Sequence, residues 1–299
     1  MPELPEVETV RRGLSPYLDG NRIDKILIRR PDLRFPFPTD LSEKLDGQMI
    51  RNVGRRGKYL LFRMDDGSIL LNSLGMSGRW TLTGGDVTFT PGTFAHGAAI
   101  GTGDGPHDHL VIDFHDGLRA TYTDARRFGY IHFIESGVSE DEDKFLRILG
   151  PEPLDPNFDA IKLAQNLQNR SSPIKNALLD QRIVVGLGNI YVNEVLNRSG
   201  VSPRRISSSL VKKNGRPTKR LELVTFQIRE VLEEAINAGG STLQDFRGVS
   251  GDDDLGWFPV NFRVYGREGQ DCLKSGCSGI VKRIVQSNRS TFFCAECQR

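Results

Sequence analysis

The residues best suited to chemistry stand at the two ends of the chain. It opens Met1-Pro2-Glu3-Leu4-Pro5-Glu6-Val7-Glu8. A small second residue permits removal of the initiator methionine, which would expose Pro2 as a secondary amine. An α-amino group has a pKa near 8 against about 10.4 for lysine, so its neutral fraction near pH 7 is greater by roughly two orders of magnitude. A neutral amine is a competent nucleophile toward a carbon such as a sugar C1′. From a secondary amine the product is an iminium that cannot lose its charge by deprotonation at nitrogen. That cation is an electron sink and favours β- then δ-elimination of flanking phosphates. Glu3 would stand beside it, and a carboxyl kept protonated by burial is a general acid for the sugar ring oxygen. Glu6 would orient the site or relay a proton. Taken alone, a Pro- and Glu-rich opening is more often just a capped helix.

At the other end, all four cysteines fall within the last 28 residues, as Cys272, Cys277, Cys294 and Cys297. A disulfide framework would spread through a secreted chain. The spacing C-x4-C-x16-C-x2-C instead suits four thiolates on two knuckles around one tetrahedral zinc. Such a closed shell leaves no open position, so the ion would be structural, stapling a hairpin too small for a core of its own. Ser275, Gly276 and Gly279 suit the tight turns, and Lys282, Arg283 and Arg289 make the hairpin basic.

Composition narrows the rest. The 299 residues suffice for two domains, and the net charge is only +2. Positive charge is nonetheless local. Arg204, Arg205, Lys212, Lys213, Arg216, Lys219 and Arg220 occur without an intervening acid, and Arg55, Arg56 and Lys58 form a second group. Such patches fit a phosphate backbone, or are solvated loops. No apolar run approaches a membrane span, and the glutamates at the start are unlike a signal peptide, so an intracellular protein is expected.

These residues must be positioned by two kinds of element. Residues 5–18 read as a helix, with Val7, Val10, Leu14 and Tyr17 on one face. Strands are expected at Ile23–Ile28, Lys58–Met64, Ser68–Leu74, Leu110–Phe114, Leu118–Thr123 and Phe128–Ile134. Asp66-Gly67 and Asp116-Gly117 look like hairpin turns, so the sheet should be antiparallel and folded as a sandwich or barrel. Residues 84–108 read as a long surface loop. Past the stiff Gly150-Pro151-Glu152-Pro153 the pattern turns helical. One helix follows a Ser172-Pro173 start, Gly186–Asn189 breaks it, and another begins at Ile190. A longer helix carries Leu221, Val224, Ile228, Val231, Leu232 and Ala235 on one face and stops at Gly239-Gly240.

Taken in order, these segments resemble bacterial formamidopyrimidine-DNA glycosylase, a family that excises 8-oxoguanine. The resemblance runs through PELPEVE at Pro2–Glu8, GRRGKYLL at Gly54–Leu61, LGMSGR at Leu74–Arg79 and TDARRFG at Thr123–Gly129. GLGNIYVNE at Gly186–Glu194, VYGREG at Val264–Gly269 and the terminal cysteines complete it. It implies an α+β multidomain fold: an N-terminal antiparallel β-sandwich with a leading helix at 1–135, a linker at 136–152, a helix–two-turns–helix domain at 153–261 and a zinc-finger hairpin at 262–299. It implies Pro2 as nucleophile, Glu3 as catalytic acid, Glu6 as a supporting carboxylate and Lys58 as a contact to phosphate near the lesion. Met76, Arg126 and Phe128 would fill the gap left by an extruded base, with Arg126 reading the orphaned cytosine. Asn189 and Arg289 would grip phosphate, and His107 is a further expected DNA contact. Residues 247–256 would cover the lesion.

The implied activity is that of a bifunctional glycosylase and AP lyase of base excision repair, acting on double-stranded DNA with oxidised purines. One structural zinc, no organic cofactor, no membrane, a monomer and the bacterial cytoplasm with its nucleoid complete the expectation. Three features depart from the pattern: C-x4-C in place of C-x2-C, the length of 84–108, and the acidic run Gly251-Asp252-Asp253-Asp254. Two rivals remain. An endonuclease VIII-like enzyme for oxidised pyrimidines usually opens PEGPE and lacks the Met, Arg, Phe arrangement. A zinc-containing DNA-binding protein that has lost catalysis has no need of Pro2, Glu3 and Lys58.

Overall fold

The structure, a computed structural model, describes residues 2–92, 101–240 and 262–299. The 247–256 segment and part of the long 84–108 segment lie outside the described residues. The chain divides into two units: the first runs to Arg147 and takes in the chain again from Ile236, and the second holds Ile148–Ala235 and the C-terminal residues from 262.

The first unit begins with α1 (Leu4–Leu18), whose start is written in its sequence. Glu3 is the N-cap, and Glu3 and Glu6 form a reciprocal capping box in which the Glu3 backbone N–H donates to Glu6 Oε2 at 2.8 Å. Carboxylates here also meet the positive end of the helix dipole. Val7, Val10 and Leu14 are buried as the spacing requires, but Leu18 rather than Tyr17 completes that face. Tyr17 is 40% exposed and lies beside the Phe89 ring at 6.0 Å.

Two antiparallel sheets follow. One has the order β1 (Ile23–Ile28), β7 (Asp108–Phe114), β8 (Arg119–Thr123), β5 (Arg79–Gly84) and β6 (Val87–Phe89). The other runs β2 (Ile50–Arg56), β3 (Tyr59–Met64), β4 (Ile69–Ser73) and β9 (Tyr130–Ile134). Both Asp-Gly pairs turn hairpins, β3 to β4 and β7 to β8, with Gly67 and Gly117 at positive φ. Residues from both sheets and α1 share one core in which Phe62, Trp80 and Tyr122 meet ring to ring at 5.2 and 5.3 Å. Each such buried side chain contributes about 1.5–3 kcal/mol relative to exposure. Trp80 Nε1 keeps a partner by donating to Asn72 Oδ1 at 3.0 Å. A short helix, α2 (Leu41–Leu45), adds Leu41 and Leu45 to the same core.

The loop expected from residue 84 starts later. Gly84 ends β5, and the chain turns through Gly85-Asp86 into β6 before residue 90. Strands β2, β5 and β6 had no counterpart in the sequence reading.

The second unit comprises α3 (Ala160–Leu167), α4 (Ile174–Leu179), α5 (Asn189–Arg198), a 3-10 turn at Ser207–Leu210, α6 (Lys219–Asn237) up to Ala235, and the hairpin β10 (Val281–Gln286) with β11 (Arg289–Cys294). Pro173 occupies the cap of α4 rather than its first turn. Gly188 caps α5, so Asn189 is its first residue. The expected apolar face of α6 is buried throughout. Ser287 and Asn288, both left-handed, form the two-residue turn between β10 and β11. Among the described residues, no helix is long and apolar enough to cross a membrane.

The buried Glu8 on α1 ties this helix to β2. It pairs with Arg11 at 2.9 Å, Arg12 at 3.0 Å and Arg55 at 3.1 Å. Burial alone would raise the Glu8 pKa, but these guanidiniums together hold it below the ordinary 4.5. A carboxylate with a depressed folded pKa adds stability that is present above its unfolded pKa and lost as pH falls through the folded one. Glu8→Gln is therefore expected to lower stability at pH 7 by about 1–3 kcal/mol. The difference from the native protein should close as denaturation midpoints are followed from pH 7 to below pH 4.5.

Candidate nucleic-acid and metal sites

In the first unit, Pro2 is buried immediately ahead of α1, with Glu3 and Glu6 buried beside it. Lys58 sits in the β2–β3 turn, where Gly57 takes a positive φ of 56°. That turn is not independent of α1. Arg55 Nη1 donates to the Gly57 carbonyl at 2.8 Å, while its Nε bonds Glu8 Oε2 at 3.1 Å. A continuous polar link thus runs from the helix carrying Glu3 and Glu6 to the turn carrying Lys58.

Met76, Arg126, Phe128 and His107 lie on three loops of the same unit. Met76 is 38% exposed and Phe128 47% exposed, unusual for side chains of their size. Neither belongs to the sandwich core. The Arg126 guanidinium rests over the Phe128 ring at 5.1 Å. The Met76 and Phe128 loops abut closely, since a Cβ on Gly75 would clash with the Gly129 nitrogen. His107 is exposed, and its carbonyl accepts from the Asp124 backbone N–H at 3.0 Å.

In the second unit, Asn189 opens α5 and Arg289 opens β11. Asn189 Nδ2 donates to the Ser290 carbonyl at 3.0 Å, which sets the two side by side; its Oδ1 is buried with no hydrogen-bond partner. The same carbonyl accepts from the fully buried Lys175 Nζ at 3.0 Å, and Thr291 Oγ1 takes a second bond from that ammonium at 2.7 Å. Burial, with the Arg289 charge adding to it, brings the Lys175 pKa down to about 8. Sequence reasoning missed Lys175; no motif distinguishes it from a surface lysine of α4.

It also missed the polar stripe on α5. Asn189, Asn193 and Asn197 recur every four residues, on one face of the helix. Asn193 Oδ1 accepts from the Phe292 N–H at 2.9 Å, and Asn197 Nδ2 donates to Gln298 Oε1 at 2.9 Å. Glu194 adds a further clamp by accepting the N–H groups of Arg263, Val264 and Tyr265 at 2.7, 3.0 and 2.9 Å. Within the basic run, Arg204 stacks over Phe293 at 5.3 Å and Arg205 bonds the Arg299 carbonyl at 3.3 Å. Lys212 and Arg216 flank a turn closed by a 2.8 Å backbone bond.

The four cysteine sulfurs lie within 4.8 Å of one another. Cys272–Cys297 and Cys277–Cys294 are each 3.7 Å apart, far beyond a disulfide bond. Four thiolates at about 2.3 Å from a tetrahedral ion would stand roughly 3.8 Å apart, so the cluster has the dimensions of a metal shell. The x4 knuckle closes without strain: Cys277 N–H donates to the Lys274 carbonyl at 3.0 Å, with Gly276 at φ 73°. Gly279 must be small, because a Cβ there would lie 2.5 Å from Cys294 Sγ.

Comparison with known proteins fits both units. Residues 1–131 match the family profile "Formamidopyrimidine-DNA glycosylase N-terminal domain", and residues 149–247 match "Formamidopyrimidine-DNA glycosylase H2TH domain". The chain belongs to the formamidopyrimidine-DNA glycosylase family. Formamidopyrimidine-DNA glycosylases of Azorhizobium caulinodans and of Rhodopseudomonas palustris strain BisB18 are 50% and 48% identical to it, each alignment covering 100% of both chains. A mutant of the Lactococcus lactis family member, in complex with Fapy-dG-containing DNA, superposes with a TM-score of 0.80 at 34% identity over 100% of both chains. The wild-type Lactococcus lactis enzyme bound to oxidised-pyrimidine DNA gives 0.78 at 33% identity, again over 100% of both chains. Family membership brings DNA glycosylase chemistry in base excision repair, and the α+β fold with its helical second unit and cysteine hairpin agrees with it.

The cluster geometry predicts that all four thiols resist alkylation in the native protein and react together once a strong chelator is added. The hairpin should then loosen while the Trp80-containing sandwich keeps its near-ultraviolet circular dichroism. Independent alkylation of single cysteines without chelator would contradict a shared ion.

Proposed function

We propose that the chain removes oxidised purines, 8-oxoguanine and formamidopyrimidines, from duplex DNA and then cuts the strand at the resulting abasic site. The observation that carries this reading is the buried Pro2 with Glu3 and Glu6 at the head of α1, tied through Glu8 and Arg55 to the Lys58 turn. Loss of Met1 would put a secondary amine, two carboxyl groups and a cation on segments that the first unit ties together.

The chemistry follows from those groups. After loss of Met1, the Pro2 nitrogen attacks C1′ and gives up its N–H proton, the C1′–N9 bond breaks, and the base leaves with the electron pair and takes up a proton. The nitrogen lone pair then expels the ring oxygen, which Glu3 protonates, and an iminium forms. Loss of a C2′ proton into this electron sink releases the 3′ phosphate, and a second elimination releases the 5′ phosphate. Lys58, Asn189 and Arg289 hold the phosphates. An intrahelical base is out of reach, and its extrusion costs a few kcal/mol. Met76 and Phe128 offset the lost stacking, Arg126 hydrogen-bonds the orphaned cytosine, and His107 contacts the same strand region.

The four cysteines hold one zinc ion, which closes the hairpin and takes no part in the reaction. The enzyme works as a monomer in the cytoplasm. The oxidised-pyrimidine complex of the Lactococcus lactis relative favours testing a second substrate class in parallel.

Borohydride should trap a covalent adduct between the native protein and 8-oxoguanine duplex, and Pro2→Gly or an uncleavable N-terminal tag should abolish it. Faster release from thymine glycol than from 8-oxoguanine duplex would favour the pyrimidine reading. Tight binding without any adduct would leave a DNA-binding protein. Affinity for undamaged duplex should fall linearly with salt on a log–log plot.

A further inference from the structure

Met76, Arg126, Phe128 and His107, expected DNA contacts of the first unit, sit on three loops, and one buried residue is common to all of them. Asp124 is 0% exposed and follows β8. Its Oδ1 accepts from Ser77 Oγ at 2.5 Å, next to Met76. Its Oδ2 accepts from the Gly129 N–H at 2.8 Å, next to Phe128. Ser77 Oγ in turn accepts from the Arg126 N–H at 3.0 Å, so the hydroxyl relays the carboxylate to the third wedge residue. The backbone of Asp124 fastens the third loop: its N–H donates to the His107 carbonyl at 3.0 Å, and its carbonyl meets His109 Nε2 at 2.8 Å.

The neighbourhood is built to keep that carboxylate where it is. Asp108, itself buried, gathers the N–H groups of Gly103 and Gly105 at 2.9 and 3.0 Å and Thr123 Oγ1 at 2.6 Å, folding the loop that leads to His107. The buried Arg79 loses solvation, and the charges of Asp108 and Asp124 offset only part of that loss. Gly129 and Gly75 leave no room for a shift, since a Cβ on Gly129 would stand 2.9 Å from Asp124 Oδ2.

We propose that Asp124 is the positioning residue for the base-extrusion wedge: its carboxylate sets Met76, Arg126 and Phe128 in one register, and its backbone ties His107 to them. The proposal rests on the reading of these residues as gap-filling DNA contacts. Asp124 touches no reacting atom in that scheme. It acts before the chemistry, on the step in which a stacked base is exchanged for protein side chains.

Asp124→Asn keeps the size of the side chain but sets an amide donor against Ser77 or the Gly129 N–H. Base release from 8-oxoguanine duplex under single-turnover conditions should fall about ten- to a hundredfold. Borohydride trapping on a single strand carrying a preformed abasic site should stay at the native rate, because there is no base to extrude and no gap to fill. The fluorescence rise of 2-aminopurine placed next to the lesion, with cytosine kept opposite it, reports loss of stacking at the opened site and should shrink in parallel with base release. Ser77→Ala, which removes the relay and leaves the Gly129 bond, should shift base release and the fluorescence rise in the same direction by less, again with trapping unchanged; it carries the test if Asp124→Asn does not fold. Equal losses on duplex and on single strand would make Asp124 a general scaffold residue and overturn the proposal, as would no loss on either. Failure of the native protein to release base or to be trapped would instead refute the glycosylase reading itself.

Discussion

A carboxylate taken out of water costs several kcal/mol unless donors surround it, and a full set of donors makes it a rigid junction instead. This chain uses that constraint repeatedly. Glu6 takes the N–H of Glu3; Glu8 takes three guanidiniums; Asp108 takes two loop N–H groups and a hydroxyl; Asp124 takes a hydroxyl and an N–H; Glu194 takes three consecutive N–H groups. Asp143 does the same with His132 at 2.7 Å and the N–H groups of Phe145 and Leu146 at 2.8 and 3.1 Å. Apart from the guanidiniums on Glu8, the donors belong mainly to loops and helix ends, where backbone N–H groups lack partners in regular structure. The acids therefore organise segments that the hydrophobic core does not reach.

The hairpin in the second unit shows the same economy with neutral groups. Its two strands bury few apolar side chains, Val281 and Phe293 among them. So short a ribbon is marginal in water by itself. Its strand β11 is stitched to α5 by Asn189 and Asn193, its end by Asn197 and Gln298, and its start by the Lys175 ammonium. The cysteine cluster closes the open end. Arg289 is thus presented from an element fixed at several points, which limits the entropy lost when an exposed side chain is ordered by a partner.

The sequence made the chemistry more legible than the positioning. The cysteine spacing and the two Asp-Gly turns each carry a local signal that needs no tertiary context, whereas Pro2 gains meaning only beside the other motifs of the family. Helix α1, the break before Asn189 and the face of α6 follow from periodicity. Strand β2 was not visible because Arg51-Asn52-Val53-Gly54-Arg55-Arg56 has little apolar alternation; its residues face the polar network of α1 rather than the core alone. Strand β6 was hidden in a Gly- and Thr-rich stretch that reads as loop, although Gly85-Asp86 turns a hairpin, and β5 before it is too short in apolar alternation to stand out. Tyr17 was assigned to the core on spacing, yet Leu18 fits the buried face better by one residue. Asp124, Glu194 and Lys175 could not be singled out at all. Nothing in a sequence separates a buried, fully bonded acid or base from a solvated one, because its partners come from distant segments.

That division of labour bears on how the exposed tips are held. Arg127 is a non-glycine residue at φ 57°, between two side chains expected to enter DNA. A left-handed residue of this kind is destabilising by about 1–2 kcal/mol. The bonds from Gly129 to Asp124 and from Arg126 to Ser77 flank Arg127 on both sides and offset that cost. By contrast, the side chains at the tip are held weakly. The Arg126 guanidinium over the exposed Phe128 ring contributes about 0.5–1 kcal/mol. Backbone and side chain therefore sit at different levels of constraint in the same short loop. The main chain is fixed by a buried acid, while the arginine and the ring are held by little more than each other.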